Sequence, residues 1–339
     1  MIEPQEDITQ IYLSAVEIEL QKAVKQANIS GDTKLHNMLA YHMGWLGQPT
    51  HLVARGKRIR PLLVLLTCST AGGDWMQALP AAVAVELVHN FSLLHDDIED
   101  KSHLRRGRPT VWKKWGIPQA INAGDAMFIL AHLQLLHLSE KLTHSSTLHA
   151  MEILQRACLQ LTQGQYMDLS FEKRDDVTID DYWAMINNKT AALISASTEL
   201  GALSAFCDAQ VCDAYRNFGR SLGLAFQVQD DFLGIWGDAA LTGKSNQSDL
   251  ITKKITLPIL FGLSNSVIFT ERWKQGPIYA GELDEIRYLL ETTGAKSFTQ
   301  TQANDLVSQA LTELDGVHQN ESSYQVLKSL ALSLIHRQL

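Results

Sequence analysis

The chain of 339 residues carries 37 acidic side chains against 29 basic ones, a net charge of −8, with 45% hydrophobic and 19% charged residues. That composition is globular rather than disordered, and an acidic surface repels nucleic-acid phosphates, which argues against a DNA or RNA binder. With 8 Pro and 21 Gly as punctuation, the chain suits long helices better than many short strands joined by turns.

The N-terminal residues, Met1 to Asp7, lack the basic-then-apolar order of a signal peptide. The longest apolar run, Leu62 to Leu66, is far too short to span a bilayer, so no membrane span and a cytoplasmic setting are expected. Cys68, Cys158, Cys207 and Cys212 show no CxxC spacing and sit in apolar surroundings, which reads as buried free thiols with neither a disulfide nor zinc.

Apolar residues recur at helical spacing almost from end to end, and alternating strand patterns of any length are absent. Breaks fall at Gly47 to Thr50, Gly72-Gly73, Arg106 to Pro109 with Gly116 to Pro118, Lys173 to Asp176, and Gly237 to Lys253. The expectation is about a dozen helices in one all-α domain covering residues 1–339.

Taken in chain order, the first element of chemical interest is Gly56 to Pro61, which places Lys57 and Arg60 three residues apart at a helix start. The next, Val85 to Asp100, is a helix carrying His89 and ending in Asp96, Asp97 and Asp100. Asp96 and Asp100 share a face at i and i+4, with Asp97 on the flank. Arg105 and Arg106 follow directly. Farther on come Lys189-Thr190, a second apolar helix ending in Asp230-Asp231, and the lysines Lys244, Lys253 and Lys254. Paired carboxylates on helices are the hard oxygen donors Mg²⁺ takes when it also binds substrate phosphates. Lysine and arginine beside them neutralise phosphate oxygens. Arg58, Arg108 and Lys253 read instead as surface salt-bridge formers. His95, His103 and the tryptophans read as packing or local hydrogen bonding, and Asp125 either as facing the site or as capping or packing. No Ser/His/Asp or Cys/His nucleophile arrangement is found.

The order Gly-Lys-Arg-x-Arg-Pro, His89, Asp96-Asp-x-x-Asp100 with Arg105-Arg-Gly, Gly164-Gln-x-x-Asp168, Lys189-Thr190, Phe226-Gln-x-Gln-Asp-Asp231 and Gly243-Lys244 resembles the trans-isoprenyl diphosphate synthases, the polyprenyl synthetase family. The resemblance implies an all-α single domain whose helices surround a deep central cavity, in a homodimer. It implies that Asp96, Asp100, Asp168 and Asp230 carry about three Mg²⁺ ions on an allylic diphosphate, with Asp97 and Asp231 acting through metal-bound water. It gives Arg105, Lys189 and Lys244 to that same diphosphate, and Lys57, Arg60, His89 and Arg106 to isopentenyl diphosphate. Gln165, Thr190 and Gln227 would direct oxygen dipoles at the forming cation, and Lys254 has a looser role.

The implied reaction is head-to-tail elongation of dimethylallyl, geranyl or farnesyl diphosphate. Phe91, with Ser92 and Val88, matches the family's chain-length region and resembles synthases making geranylgeranyl diphosphate, although the helical wheel puts only Ser92 and Val88 beneath Asp96. The second cluster departs from the family at Gly234, where a third aspartate is usual; Asp238 is the nearest acidic residue that could compensate. Rival readings are a farnesyl or longer product, a class I terpene cyclase, which has no use for the second set of cations, and a non-catalytic partner subunit, which Gly234 alone supports.

Overall fold

A computed structural model describes residues 4–28, 31, 33–47, 55–237 and 249–335. The chain groups into two compact units, Met1–Arg156 with Ala196–Tyr215 and Val317–Leu327, and Ala157–Ser195 with Arg216–Gly316 and Lys328–Leu339.

The first unit contains α1 (Pro4–Lys25), α2 (Thr33–His42), α3 (Ile59–Thr70), α4 (Leu79–Glu99), α5 (Val111–Trp115), α6 (Ile117–Leu136) and the start of α7 (His144–Phe171). Its centre is α4, in which every residue from Ala81 to Val88 is buried. A helix apolar on all sides must be covered on all sides, and α4 packs on α1, α3 and α6. Pro80 starts it at a position where a missing N–H costs nothing. The helical pattern breaks after α4 into a feature absent from the sequence reading. A two-residue strand β1 (Leu104–Arg105) pairs antiparallel with β2 (Arg108–Pro109), Arg105 opposite Arg108. The tip, Arg106-Gly107, has φ of 53° and 74°, the double positive φ of a tight hairpin turn.

The second unit holds the rest of α7, α8 (Ile179–Ile186), a π-helical turn (Asn187–Ala191), the start of α9 (Ala192–Ser204) and residues 216–236 of α10 (Ala209–Trp236). It continues through α11 (Leu257–Asn265), α12 (Val267–Lys274), α13 (Leu283–Thr292) and α14 (Ala295–Leu314), and α15 (Glu321–Ile335) ends the described chain. Thr178 and Asp181 form a capping box that starts α8. One apolar cluster joins Tyr182, Met185, Ile186, Leu224, Val228 and Leu257. Another joins Ile235, Leu250, Ile259, Phe269 and Leu290. These clusters fix the helix ends that carry the polar residues described next.

All four cysteines are free thiols. Cys68, Cys158 and Cys212 are buried, and burial pushes each thiol up to about 12. Cys207 differs from the expected full burial in being half-buried.

Candidate active site

In the first unit, Asp96 and Asp97 occupy the last turn of α4. Asp100 caps it with helical backbone angles, its N–H donating to Asp96 O at 2.9 Å, so the i, i+4 relationship holds. Arg105 reaches back from β1. Its Nε donates to Asp97 Oδ1 at 2.7 Å and its Nη2 to Asp96 Oδ2 at 3.4 Å. Burial pushes the Asp97 carboxyl up to about 6 against the pull of Arg105, and Asp97 Oδ2 is buried without a partner.

Behind these carboxylates lies a group of basic side chains. Arg60 stands in the first turn of α3, His89 on α4 and Arg106 at the hairpin tip, where its guanidinium rests against Gly56 beside the exposed Lys57. Burial, then Arg60 and Arg106, holds His89 well below the usual histidine range, and burial lowers Arg106 to about 10. Arg60 Nε is buried and unpartnered. Cations crowded and desolvated in this way are stabilised by a polyanion.

Of three residues expected as surface salt-bridge formers, Arg58 and Arg108 are buried and Lys253 is half-buried. Arg58 is 5% exposed and donates to Glu86 Oε1 at 2.8 Å and Glu17 Oε2 at 3.3 Å. Arg108, also buried, stacks on Tyr41 at 4.1 Å and donates to Leu46 O. Lys253 Nζ donates to Trp273 O at 2.6 Å. The physical reason at Arg58 is the buried Glu86, a charge that requires a counter-ion in the interior.

In the chain-length region Val88 is buried, and Ser92 Oγ donates to His89 O at 2.8 Å. Phe91 packs against Phe128 of α6 and His95, at ring separations of 5.0 and 5.1 Å. His95 Nε2 lies 3.8 Å from Asp125, and His103 packs on Trp112.

In the second unit, Gln165 and Asp168 lie on α7, and Lys189 Nζ donates to Asp168 Oδ2. A Cβ on Gly164 would sit 2.6 Å from Lys189 Cα, so the glycine is what lets α7 approach the backbone of the π turn. That turn carries Lys189 and Thr190 on a local break of the α ladder. From Thr190 a continuous relay runs inward. Thr190 Oγ1 donates to Gln227 Oε1 at 2.7 Å, Gln227 Nε2 to Asp231 Oδ1 at 2.9 Å, and Tyr182 OH to Asp231 Oδ2 at 2.6 Å. Burial pushes Asp231 up to about 6, opposed by Lys254. Burial would depress Lys254, but Asp231, Asp168, Asp249 and Asp230 hold it above the ordinary lysine range. Lys244, Gly243 and Asp238 lie outside the described residues.

Among the described residues no three His, Cys, Asp or Glu side chains form a metal cage by themselves. The donor set still fits Mg²⁺. Both clusters offer carboxylate oxygens and neither offers sulfur, Asp97 Oδ2 has no partner, and Mg²⁺ needs only one or two carboxylates when substrate phosphates complete its shell. The sequence reading missed Tyr182, Asp249, Glu86 and His42. The signal available for Glu86 and Asn90 was two polar residues at i, i+4 inside an otherwise apolar helix.

An all-α chain with aspartate-ended helices and basic side chains gathered beside them belongs to the class of isoprenoid synthases, and comparison with known proteins makes the class specific. The polyprenyl synthetase family model matches residues 44–280, and the chain belongs to that family of prenyltransferases. It is 39% identical over 318 residues to a (2E,6E)-farnesyl diphosphate synthase of Mycobacterium tuberculosis, covering 91% of this chain and 87% of that one. It is 40% identical over 287 residues to a geranylgeranyl diphosphate synthase of the same organism, covering 83% and 81%. The crystal structure of a polyprenyl synthetase from Streptomyces coelicolor A3(2) superposes with a TM-score of 0.87 at 34% identity, covering 96% and 98%. Among the described residues no helix is long and apolar enough to cross a membrane.

Proposed function

We propose that this chain, acting as one catalytic domain, condenses isopentenyl diphosphate with an allylic diphosphate in a Mg²⁺-dependent head-to-tail elongation, with geranylgeranyl diphosphate as product. The observation that carries the reading is the pair of desolvated cations Arg60 and Arg106 around the neutral His89, with Lys57 on the adjoining loop, which would give a second diphosphate its own basic residues apart from the Arg105-bound carboxylates. A cyclase, using a single diphosphate, has no role for that group.

Asp96 and Asp100 of one cluster, and Asp168 and Asp230 of the other, would hold Mg²⁺ on the allylic diphosphate, with Asp97 and Asp231 engaging its water ligands. Bound there, the metal would supply charge neutralisation for the leaving diphosphate. Arg105, Lys189, Lys244 and Lys254 add fixed positive charge around that group, and each preorganised contact of this kind is worth about 10²–10³ in rate by analogy with oxyanion donors. The allylic carbon–oxygen bond breaks, the isopentenyl double bond attacks the cation, and the proton lost from the adduct passes to the departing diphosphate. Thr190 spends its proton on Gln227, leaving its oxygen lone pairs to face positive charge. Gln165 and Gln227 contribute amide dipoles in the same role.

A shorter product has its own support, since the farnesyl synthase relative is as similar to this chain as the geranylgeranyl synthase one. The deciding experiment is incubation with Mg²⁺, isopentenyl diphosphate and each of dimethylallyl, geranyl and farnesyl diphosphate, followed by mass analysis. A linear twenty-carbon diphosphate supports the reading, a fifteen-carbon end product shifts it to the shorter synthase, and no diphosphate release overturns it. We also propose a homodimer through α6, whose exposed Ile121, Ile129, Leu133 and Leu136 recur at helical spacing on one face.

A further inference from the structure

Gly234 stands one helical turn beyond Asp230 on α10, where a side chain would share the face of Asp230. That space is already filled. A Cβ built on Gly234 would overlap the carboxylate of Asp249, whose Cγ would be 2.7 Å away. The backbone of Gly234 is not in the left-handed region, so conformational freedom does not explain the glycine; the missing side chain does.

Asp249 is fixed in this place from several directions. Its N–H donates to Gly234 O at 3.3 Å, satisfying a carbonyl in the last turn of α10, where the helix has no donor of its own. Its carbonyl accepts from the Lys254 N–H at 3.0 Å. The next residue, Leu250, is fully buried in the cluster with Ile235 and Ile259. The carboxylate lies within electrostatic reach of both Asp231 and Lys254.

We propose that Asp249 supplies the third carboxylate of the second cluster, reaching from the segment before α11 into the place that a side chain at residue 234 would occupy. The inference rests on the prenyl-transfer reading above. In it, Asp230 carries the metal, while Asp231 and Asp249 together hold the metal's water ligands. Gly234 is then a relocation of a carboxylate and not the loss of one.

The test uses Mn²⁺, a paramagnetic replacement for Mg²⁺, titrated into the full-length protein with inorganic diphosphate and read by electron paramagnetic resonance. Asp249→Asn, which keeps the size and the backbone bonds, is expected to weaken Mn²⁺ binding by about tenfold, as loss of an outer carboxylate does at other metal sites. Gly234→Asp alone should also weaken it, because two carboxylates then compete for one space. Gly234→Asp combined with Asp249→Ala should return the affinity to within about threefold of the unaltered protein, on the same scale of outer-shell effects. Unfolding midpoints measured without metal check that each variant is folded. Unchanged Mn²⁺ binding in Asp249→Asn, or a double variant that binds no tighter than Asp249→Ala, overturns the proposal. Absence of prenyl transfer by the unaltered protein would overturn the functional reading, while the Mn²⁺ titration still judges Asp249.

Discussion

Tyr182 donates its hydroxyl proton to Asp231 Oδ2 at 2.6 Å from a fully buried ring, so the second carboxylate cluster is held from beneath by a residue that belongs to the apolar core. Gln227 takes the other Asp231 oxygen, which leaves little freedom to that carboxylate. Tyr182→Phe removes the hydroxyl and nothing else. The expected cost is about 1–3 kcal/mol of stability from the lost partner. Turnover at subsaturating Mg²⁺ should fall about 10–100-fold, as for other residues that orient a metal's carboxylate. Rates at several Mg²⁺ concentrations check this, and an unchanged Mg²⁺ requirement would assign Tyr182 to packing alone.

The buried pair of Arg58 and Glu86 ties the Lys57 loop to the helix that bears His89 and Asp96. Glu86 also accepts from Asn90 Nδ2 at 2.8 Å, so its carboxylate is a shared node. Glu86→Gln leaves the buried Arg58 with a weaker set of acceptors, and breaking such a pair costs about 3–5 kcal/mol. Urea unfolding measures that loss. The KM for isopentenyl diphosphate should rise about tenfold with the allylic KM unchanged, the signature of a displaced binding loop. Equal changes in both constants would instead mean a general loosening.

The helical architecture was legible because apolar periodicity recurs along the whole chain, and the aspartate clusters because charge interrupts apolar helices. What the sequence hid depends on tertiary contact. Nothing local distinguishes Tyr182 from any other buried tyrosine, and its role exists only because α8 brings it to α10. The π turn at Asn187–Ala191 has no periodic signature, and the hairpin at Arg105–Arg108 is too short to show alternation. Arg58 looked like a solvated charge because its glutamates lie 28 and 41 residues away. Gly234 read as a missing ligand because the carboxylate that fills its place comes from a later segment.

Phe91 offers a test of product control. Its ring packs on Phe128, and Phe128 packs in turn on His132 at 4.5 Å, so aromatic residues of α4 and α6 are layered together. One helical turn spans about 5.4 Å, comparable with an isoprene unit. Phe91→Ala should therefore lengthen the main product by a single five-carbon unit, with Phe128 as the next barrier. Chromatography of the dephosphorylated products reads the change, and an unaltered distribution would remove Phe91 from that role.

The apolar face of α6 predicts association. Ile129 is 57% exposed and Leu133 44%, values that large aliphatic side chains rarely keep along one face of a helix when nothing covers it. Ile129→Glu with Leu133→Glu places two charges on that face, and light scattering should report a dimer for the unaltered protein and a monomer for the variant. Persistence of the dimer would move the interface elsewhere.

His42 gives the pH dependence its clearest sign. It lines a small cavity with Arg105, Arg106 and Arg108, its Nε2 is sealed from solvent, and burial together with these arginines and Arg58 holds it well below its ordinary value of 6.5. The folded protein therefore keeps His42 neutral where the unfolded chain protonates it. Stability from this residue is complete above about pH 6.5 and is lost as pH falls below it, by about 1.4 kcal/mol per unit until the folded value is reached. Asp97, which faces the same cavity and is raised to about 6, works in the opposite direction at lower pH. His42→Gln leaves Asp97 and the arginines in place, so the difference between the two proteins isolates His42. The variant's stability, measured by urea unfolding, should fall less steeply between pH 6.5 and 5 than that of the unaltered protein, and parallel slopes would show that His42 takes up its proton as readily when folded as when unfolded.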